Sequence, residues 1–191
     1  MPDDPSSINN SDHTKASWHG RTIALVGLMG AGKSTVGRRL ADSLGRPFFD
    51  SDHEIEKAAG LSVADIFSLH GEEEFRRGER RVLERLLNGP PHVLATGGGA
   101  YLSPQTRDLM REKAVTVWLN ADLETLWKRV SKRSHRPLLQ RPDAKGVLTD
   151  LLETRRSVYQ EADLTVPSID GPHSQTVNKI LEALKSWKPA S

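Results

Sequence analysis

Gly27-Leu28-Met29-Gly30-Ala31-Gly32-Lys33-Ser34 fits the spacing G-x-x-x-x-G-K-[ST], and few eight-residue stretches restrict a fold so tightly. The pattern needs a strand before it and a helix after it, and both are foreseeable. Thr22–Val26 is an apolar, β-branched run of strand length. Residues 34–44 carry Val36, Leu40 and Leu44 at four-residue spacing on one helical face, with Gly45 in the C-cap position. The glycines allow a tight turn that aims backbone N–H groups at an anion, and the next helix adds its N-terminal partial charge. Lys33 is long enough to reach β- and γ-phosphates, and the Ser34 hydroxyl suits a Mg²⁺ ion. Gly30, Ala31, Gly32, Lys33, Ser34 and Thr35 are therefore the expected nucleotide contacts. A ligand-free glycine turn is the alternative, but it would not need every consensus position filled.

Downstream, short apolar runs alternate with helical patterns. Strands are expected at 47–49, 92–95, 114–119 and 163–166. Helices are expected within 53–88, broken near Gly60 and Gly71, and at Pro104–Lys113, 122–130, 147–162 and 177–187. Strands that alternate with helices imply a parallel sheet covered on both faces, here five-stranded and three-layered α/β/α. Residues 1–19, rich in Asp, Ser, Asn and Pro, read as a disordered tail, leaving one domain over 20–190. Segments at about 51–88 and 131–146 stand outside the alternation as insertions over the sheet edge.

Charge and cysteine narrow the setting. A net charge of +2 gives no basic face for a nucleic-acid partner, and no apolar run approaches the length of a membrane span. With no cysteine and no apolar leader around Asp3, Asp4 and Asp12, a reducing cytoplasm is the expected location. One local imbalance stands out. From Lys128 to Arg141 there are six Lys or Arg and no acid. Arg136-Pro137-Leu138-Leu139 lies inside this stretch, where a mobile arginine could meet a transferring phosphoryl group and the loop could close over it as a lid. The run lacks the stacking aromatics of a single-stranded RNA site.

The acceptor side decides the reaction. The third strand ends in Thr96 and Gly97-Gly98-Gly99, with no carboxylate for a metal. Asp50 and Asp52, after the second strand, lie on the same side of an extended segment and repel unless a cation sits nearby. Mg²⁺ could supply it, leaving one Asp for the metal's water shell and one for an acceptor hydroxyl; alternatively Asp52 merely caps a helix beginning at His53. Arg76 lies in Glu74-Phe75-Arg76-Arg77-Gly78-Glu79, a helix rich in potential surface ion pairs. In a cleft, its guanidinium would be a fork for a substrate carboxylate. Three glycines in a row offer a close backbone approach to a ligand.

Taken together, the P-loop, Asp50-Ser51-Asp52, the E-F-R-R-G-E segment, Gly97-Gly98-Gly99-Ala100, Arg136-Pro137-Leu138-Leu139 and Arg155 four residues before Tyr159 give a resemblance. Over about residues 21–170 the chain resembles the bacterial shikimate kinases, of the nucleoside monophosphate kinase-like P-loop group. The resemblance implies transfer of the ATP γ-phosphoryl group to the 3-hydroxyl of shikimate, in the chorismate pathway, by a monomeric enzyme using Mg²⁺. It also implies Asp52, Arg76, Gly98 and Arg155 around shikimate, with Gly97 and Gly99 beside them. Arg76 and Arg155 would hold the carboxylate, Glu79 would brace Arg76, and Asp52 would act as base or orienter. Lys33 and Arg136 would neutralise the transferring phosphoryl group, Ser34 and Asp50 would serve the metal, and Arg129 would stack on adenine. A gluconate or adenylate kinase of the same fold explains neither the paired aspartates with the triglycine turn nor two separated carboxylate-binding arginines. A non-catalytic ATP- or RNA-binding module would not need Lys33, Asp52 and Arg136 together.

Overall fold

Thr22–Val26 forms β1, and all five of its residues are buried, as a strand covered on both faces requires. In the computed structural model, which describes residues 17–132 and 142–189, β1 is the centre of a five-stranded parallel sheet. The other strands are β2 (Phe48–Asp50), β3 (Val93–Ala95), β4 (Ala114–Asn120) and β5 (Leu164–Pro167), in the order β2-β3-β1-β4-β5. Ala95 pairs with Leu25 on one side and Asp50 on the other, so β1, β2 and β3 finish level. Three segments far apart in sequence, the P-loop, the Asp50 region and the triglycine turn, therefore leave the same rim. Ligands of open α/β sheets sit at that rim.

Helix α1 (Lys33–Leu44) connects β1 to β2, and α2 (Ser51–Ala59) with α3 (Val63–Leu87) connects β2 to β3. Helix α4 (Pro104–Lys113) follows a 3-10 turn at Ala100–Leu102. Helices α5 (Leu123–Ser131) and α6 (Ala144–Tyr159) precede β5, and α7 (His173–Ser186) follows it. Right-handed crossovers put α1 and α7 together on one face and α3 and α4 on the other, giving three layers. The break expected near Gly71 is a kink within α3, where Gly71 has φ 78°. Ser62 caps α3 by accepting from the Asp65 N–H, while its hydroxyl donates to the Asp65 carboxylate at 2.6 Å.

Two helices start earlier than their apolar spacing suggests. Helix α6 begins at Ala144 rather than at 147, because the Asp143 side chain caps it by accepting from the Gly146 N–H at 3.0 Å. Helix α7 begins at His173 rather than at 177, directly after Pro172. Order at the N-terminal side also reaches into the stretch assigned to the tail. The Ser17 hydroxyl donates to the Trp187 carbonyl at 2.8 Å, and Trp18 is buried beneath the Arg46 guanidinium. Residues 1–16 and 133–141, which include most of the basic segment expected to form a lid, lie outside the described residues.

Candidate active site

The rim of the sheet opens into a cleft of about 440 Å³ in which P-loop residues face Asp50, Asp52, Thr96 and Gly98. On the P-loop side the backbone makes the site. Gly30 and Gly32 have φ of 83° and 92°, left-handed values that other residues reach only at a cost. Gly30 also lacks room, since a Cβ there would lie 2.8 Å from Val130 and 3.2 Å from the Leu126 carbonyl. Lys33 is buried, and its ammonium donates to the carbonyls of Gly27 at 2.7 Å and Leu28 at 2.9 Å. Ser34 donates to Asp50 Oδ2 at 2.6 Å, and Thr35 joins the cleft wall.

Arg129 also lines this wall, with both terminal nitrogens of its guanidinium hydrogen-bonded. It donates to the carbonyls of Gly30 (3.2 Å), Ala31 (3.4 Å) and Ile169 (2.6 Å) and to the Ser168 hydroxyl (2.9 Å). Burial lowers its pKa, against the opposing pull of Asp170 and Asp122. Ser168, buried and donating to the Ala31 carbonyl at 2.8 Å, and His173, in the cleft wall, carry no motif that the sequence reading could use.

The aspartate pair differs from its sequence reading. Helix α2 starts at Ser51, so Asp50 rather than Asp52 is the cap, accepting from the Asp52 N–H at 3.1 Å. Asp52 is in the first helical turn, not on an extended segment, and the same-side argument from a two-residue repeat does not apply. The two carboxylates nonetheless reach one cleft. Between them, Ser51 is wholly buried and its hydroxyl accepts from the Gly97 N–H at 2.9 Å, an anchor that the sequence reading passed over.

Each glycine of the triglycine turn meets a different part of the site. A Cβ on Gly97 would lie 2.7 Å from Asp52 Oδ1 and 3.2 Å from Glu79 Oε1; on Gly98, 3.4 Å from the Met29 nitrogen; on Gly99, 2.5 Å from the Arg76 guanidinium. None of the three has a positive φ; at Gly97 and Gly99 it is space rather than backbone freedom that favours glycine, while Gly98 would leave a Cβ in ordinary contact. Arg76 bonds Glu79 at 2.8 Å and Glu72 at 3.3 Å. Burial works against the Arg76 charge, but Glu79 and Glu72 outweigh it and hold its pKa above the ordinary value. Glu79 is 3% exposed, and burial raises its pKa despite Arg76, with Asp52 and Glu72 adding to the rise. Its Oε1 has no hydrogen-bond partner among the described residues. From α6, Arg155 and Tyr159 both donate to the Gly98 carbonyl. Of the expected site residues, Arg136 lies outside the described residues, as does the rest of its Arg136-Pro137-Leu138-Leu139 segment.

A phosphate loop thus faces a carboxylate and two arginines across three glycines, and comparison with known proteins gives this pattern a family. A family model described as Shikimate kinase matches residues 29–185. The chain belongs to the shikimate kinase family. It is 56% identical over 165 residues to a shikimate kinase of Caulobacter vibrioides, covering 86% of this chain and 82% of that protein. To a shikimate kinase of Rhodopseudomonas palustris it is 50% identical over 167 residues, covering 87% and 82%. The solved structure of a shikimate kinase from Acinetobacter baumannii in complex with shikimate superimposes with a TM-score of 0.84 at 41% identity, covering 90% of this chain and 97% of that one.

Proposed function

We propose that this shikimate kinase transfers the γ-phosphoryl group of ATP to the 3-hydroxyl of shikimate in the cleft between the P-loop and the triglycine turn. The observation that carries the reading is the turn itself. It sits where Gly97 abuts Asp52, Gly98 abuts the P-loop nitrogen of Met29, and Gly99 abuts Arg76. An acceptor held by Arg76 would thus present its hydroxyl to Asp52, beside the phosphates.

In this reading Gly30–Thr35 and the N-terminus of α1 cradle the phosphates. Lys33 exchanges its loop carbonyls for phosphate oxygens. Arg129, tied to the P-loop and Ile169 through its terminal nitrogens, offers its face to the flat adenine ring. Arg76 and Arg155 hold the carboxylate of shikimate, Glu79 fixes the Arg76 fork, and Asp52 orients the hydroxyl and takes its proton. Charge neutralisation by Arg136, and closure of a lid over about 131–146, rest on the sequence alone.

The donor set suits Mg²⁺. The Ser34 hydroxyl and the Asp50 carboxylate are hard oxygens 2.6 Å apart on the cleft wall. No group of three or more His, Cys, Asp or Glu forms a metal cage among the described residues. Few protein ligands, with water and phosphate oxygens completing the shell, is the usual Mg²⁺ arrangement. When bound, the ion would neutralise charge on the β- and γ-phosphates.

Residues 20–190 would act as one kinase domain, with about 51–88 as its acceptor-binding helices. We take the enzyme to be a cytoplasmic monomer working on a small molecule, without nucleic-acid or membrane partners. Among the described residues no helix is long and apolar enough to cross a membrane. Release of ADP, followed by a coupled assay, should require shikimate, ATP and Mg²⁺ together. ADP release that is indifferent to shikimate would refute the reading.

A further inference from the structure

The Gly98 carbonyl receives two donors of unequal quality. The Tyr159 hydroxyl is at 2.5 Å, and Arg155 Nη1 is at 3.3 Å, beyond the usual optimum. Both donors come from α6, four residues apart and therefore on one face. The turn that carries this carbonyl is tethered on its other side by the Gly97 N–H to Ser51. Tyr159 has little freedom to move its hydroxyl. It is 1% exposed and stacks with Trp118 at 6.0 Å and Tyr101 at 6.5 Å between ring centroids. Trp118 in turn lies 3.3 Å from where a Cβ on Gly27 would be, so the stack backs onto the start of the P-loop. Burial pushes the phenol pKa up, opposed by Arg155, through its charge and a hydrogen bond to the phenol, and by Arg76, so the group remains a donor that also holds Arg155 directly.

We propose that Tyr159 is a positioning residue for the acceptor: its hydroxyl satisfies the Gly98 carbonyl and thereby leaves the Arg155 guanidinium available to the substrate carboxylate. Gly98 is half-buried at the cleft wall, and its carbonyl, on losing one partner, takes the next donor within reach. Here that donor is Arg155, already pointed at it. Without the phenol oxygen, Arg155 closes its long bond to Gly98, and the turn and the arginine shift towards each other, away from the carboxylate. Tyr159 touches no reacting atom; its effect passes through the Gly98 carbonyl and through its own hydrogen bond to Arg155. The inference rests on the assignment of Arg155 to the shikimate carboxylate made above.

Tyr159→Phe keeps the ring and its stack and removes one oxygen. It should raise KM for shikimate by about three- to tenfold, the worth of one buried hydrogen bond, and leave kcat and KM for ATP unchanged. In an Arg155→Ala background the same change should add nothing further, because two residues acting through one contact are not additive. An unchanged KM for shikimate in Tyr159→Phe overturns the proposal, as does full additivity in the double variant. Equal rises in both KM values with a lowered unfolding temperature also overturn it, since they mark a purely structural role. If Arg155→Ala itself leaves KM for shikimate unaltered, the carboxylate assignment falls and takes this inference with it. That result is distinguishable from failure of the Tyr159 role alone, in which Arg155→Ala is strongly impaired and Tyr159→Phe is not.

Discussion

The two walls of the cleft are built on opposite principles. On the nucleotide wall, glycine is required by backbone angle: Gly30 and Gly32 are left-handed, and their loop is closed by hydrogen bonds within the segment and from Arg129 and Ser168. On the acceptor wall, Gly97 and Gly99 have ordinary backbone angles and are required because Asp52 and Arg76 occupy the space a side chain would take. A phosphate is recognised by main-chain geometry that a short sequence can encode by itself. The acceptor, in the proposed reading, is met by side chains from α2, α3 and α6 that only the completed fold brings together.

The largest test of this contrast is at Asp52, the group assigned to the reacting hydroxyl. Asp52→Asn keeps the shape and removes the proton acceptor, so kcat should fall by about 10²–10⁴ with ATP affinity intact. Steady-state kinetics with nucleotide titration checks it, and near wild-type kcat would reduce Asp52 to a hydroxyl contact. Next in size is Arg76→Ala, which removes the charge assigned to the acceptor carboxylate, a partner that keeps its charge throughout the reaction. KM for shikimate should rise on the order of a hundredfold or more, since breaking a buried ion pair costs about 3–5 kcal/mol. Part of that cost will appear instead as lost stability, because Glu79 loses its partner.

Alanine at the glycines separates the walls directly. Gly30→Ala forces a left-handed alanine against Val130 and should cost about 1–3 kcal/mol of stability and weaken ATP binding. Gly99→Ala fits its backbone but displaces the Arg76 guanidinium. It should raise KM for shikimate by about tenfold or more, with the unfolding temperature nearly unchanged. Identical phenotypes for the two would erase the distinction drawn here. A smaller effect is expected for Asp50→Asn, which should raise the Mg²⁺ concentration giving half activity; an unshifted metal titration would remove Asp50 from that role.

The smallest effect is expected at the opposite end of the strands, on neither wall. His92 is buried against Phe49, and burial lowers its pKa from 6.5 despite the Pro90 carbonyl, with Arg46 adding to the depression. The unfolded chain therefore binds the proton more tightly. The stability that neutral His92 contributes is present above pH 6.5 and lost as pH falls through that value towards the lowered one. Thermal unfolding of the wild type should decline over this window, His92→Gln should flatten the decline, and both KM values should stay put. An equally steep decline in the variant would assign it to other groups.

What could be read from the sequence follows the same division. The P-loop, its strand and its helix were legible because local pattern determines them. So were the strands, since β1 and β4 are continuous apolar runs. Asp50-Ser51-Asp52 was harder: either carboxylate can precede a helical run, and only the formed hydrogen bond from the Asp52 N–H identifies Asp50 as the cap. The triglycine turn was noticed, but its reason was not, because the atoms that need the space arrive from elsewhere in the chain. Ser51 was overlooked between two more conspicuous acids. Tyr159 entered only as a spacing marker for Arg155, since nothing local tells a buried tyrosine that packs from one that also holds a carbonyl.

Strand β2 consists of three residues and sits at the edge of the sheet. The helices that follow it, α2 and α3, carry Asp52 and Arg76, while the P-loop hangs from the central strand. An edge strand has one neighbour to satisfy and a central strand has two. In this sheet β2 takes part in one pairing, with β3, whereas β1 pairs with β3 and β4. On the proposed assignments, the residues that choose the acceptor hang from the edge of the sheet and those that grip the nucleotide from its centre. Specificity, so assigned, is written at the margin of this fold.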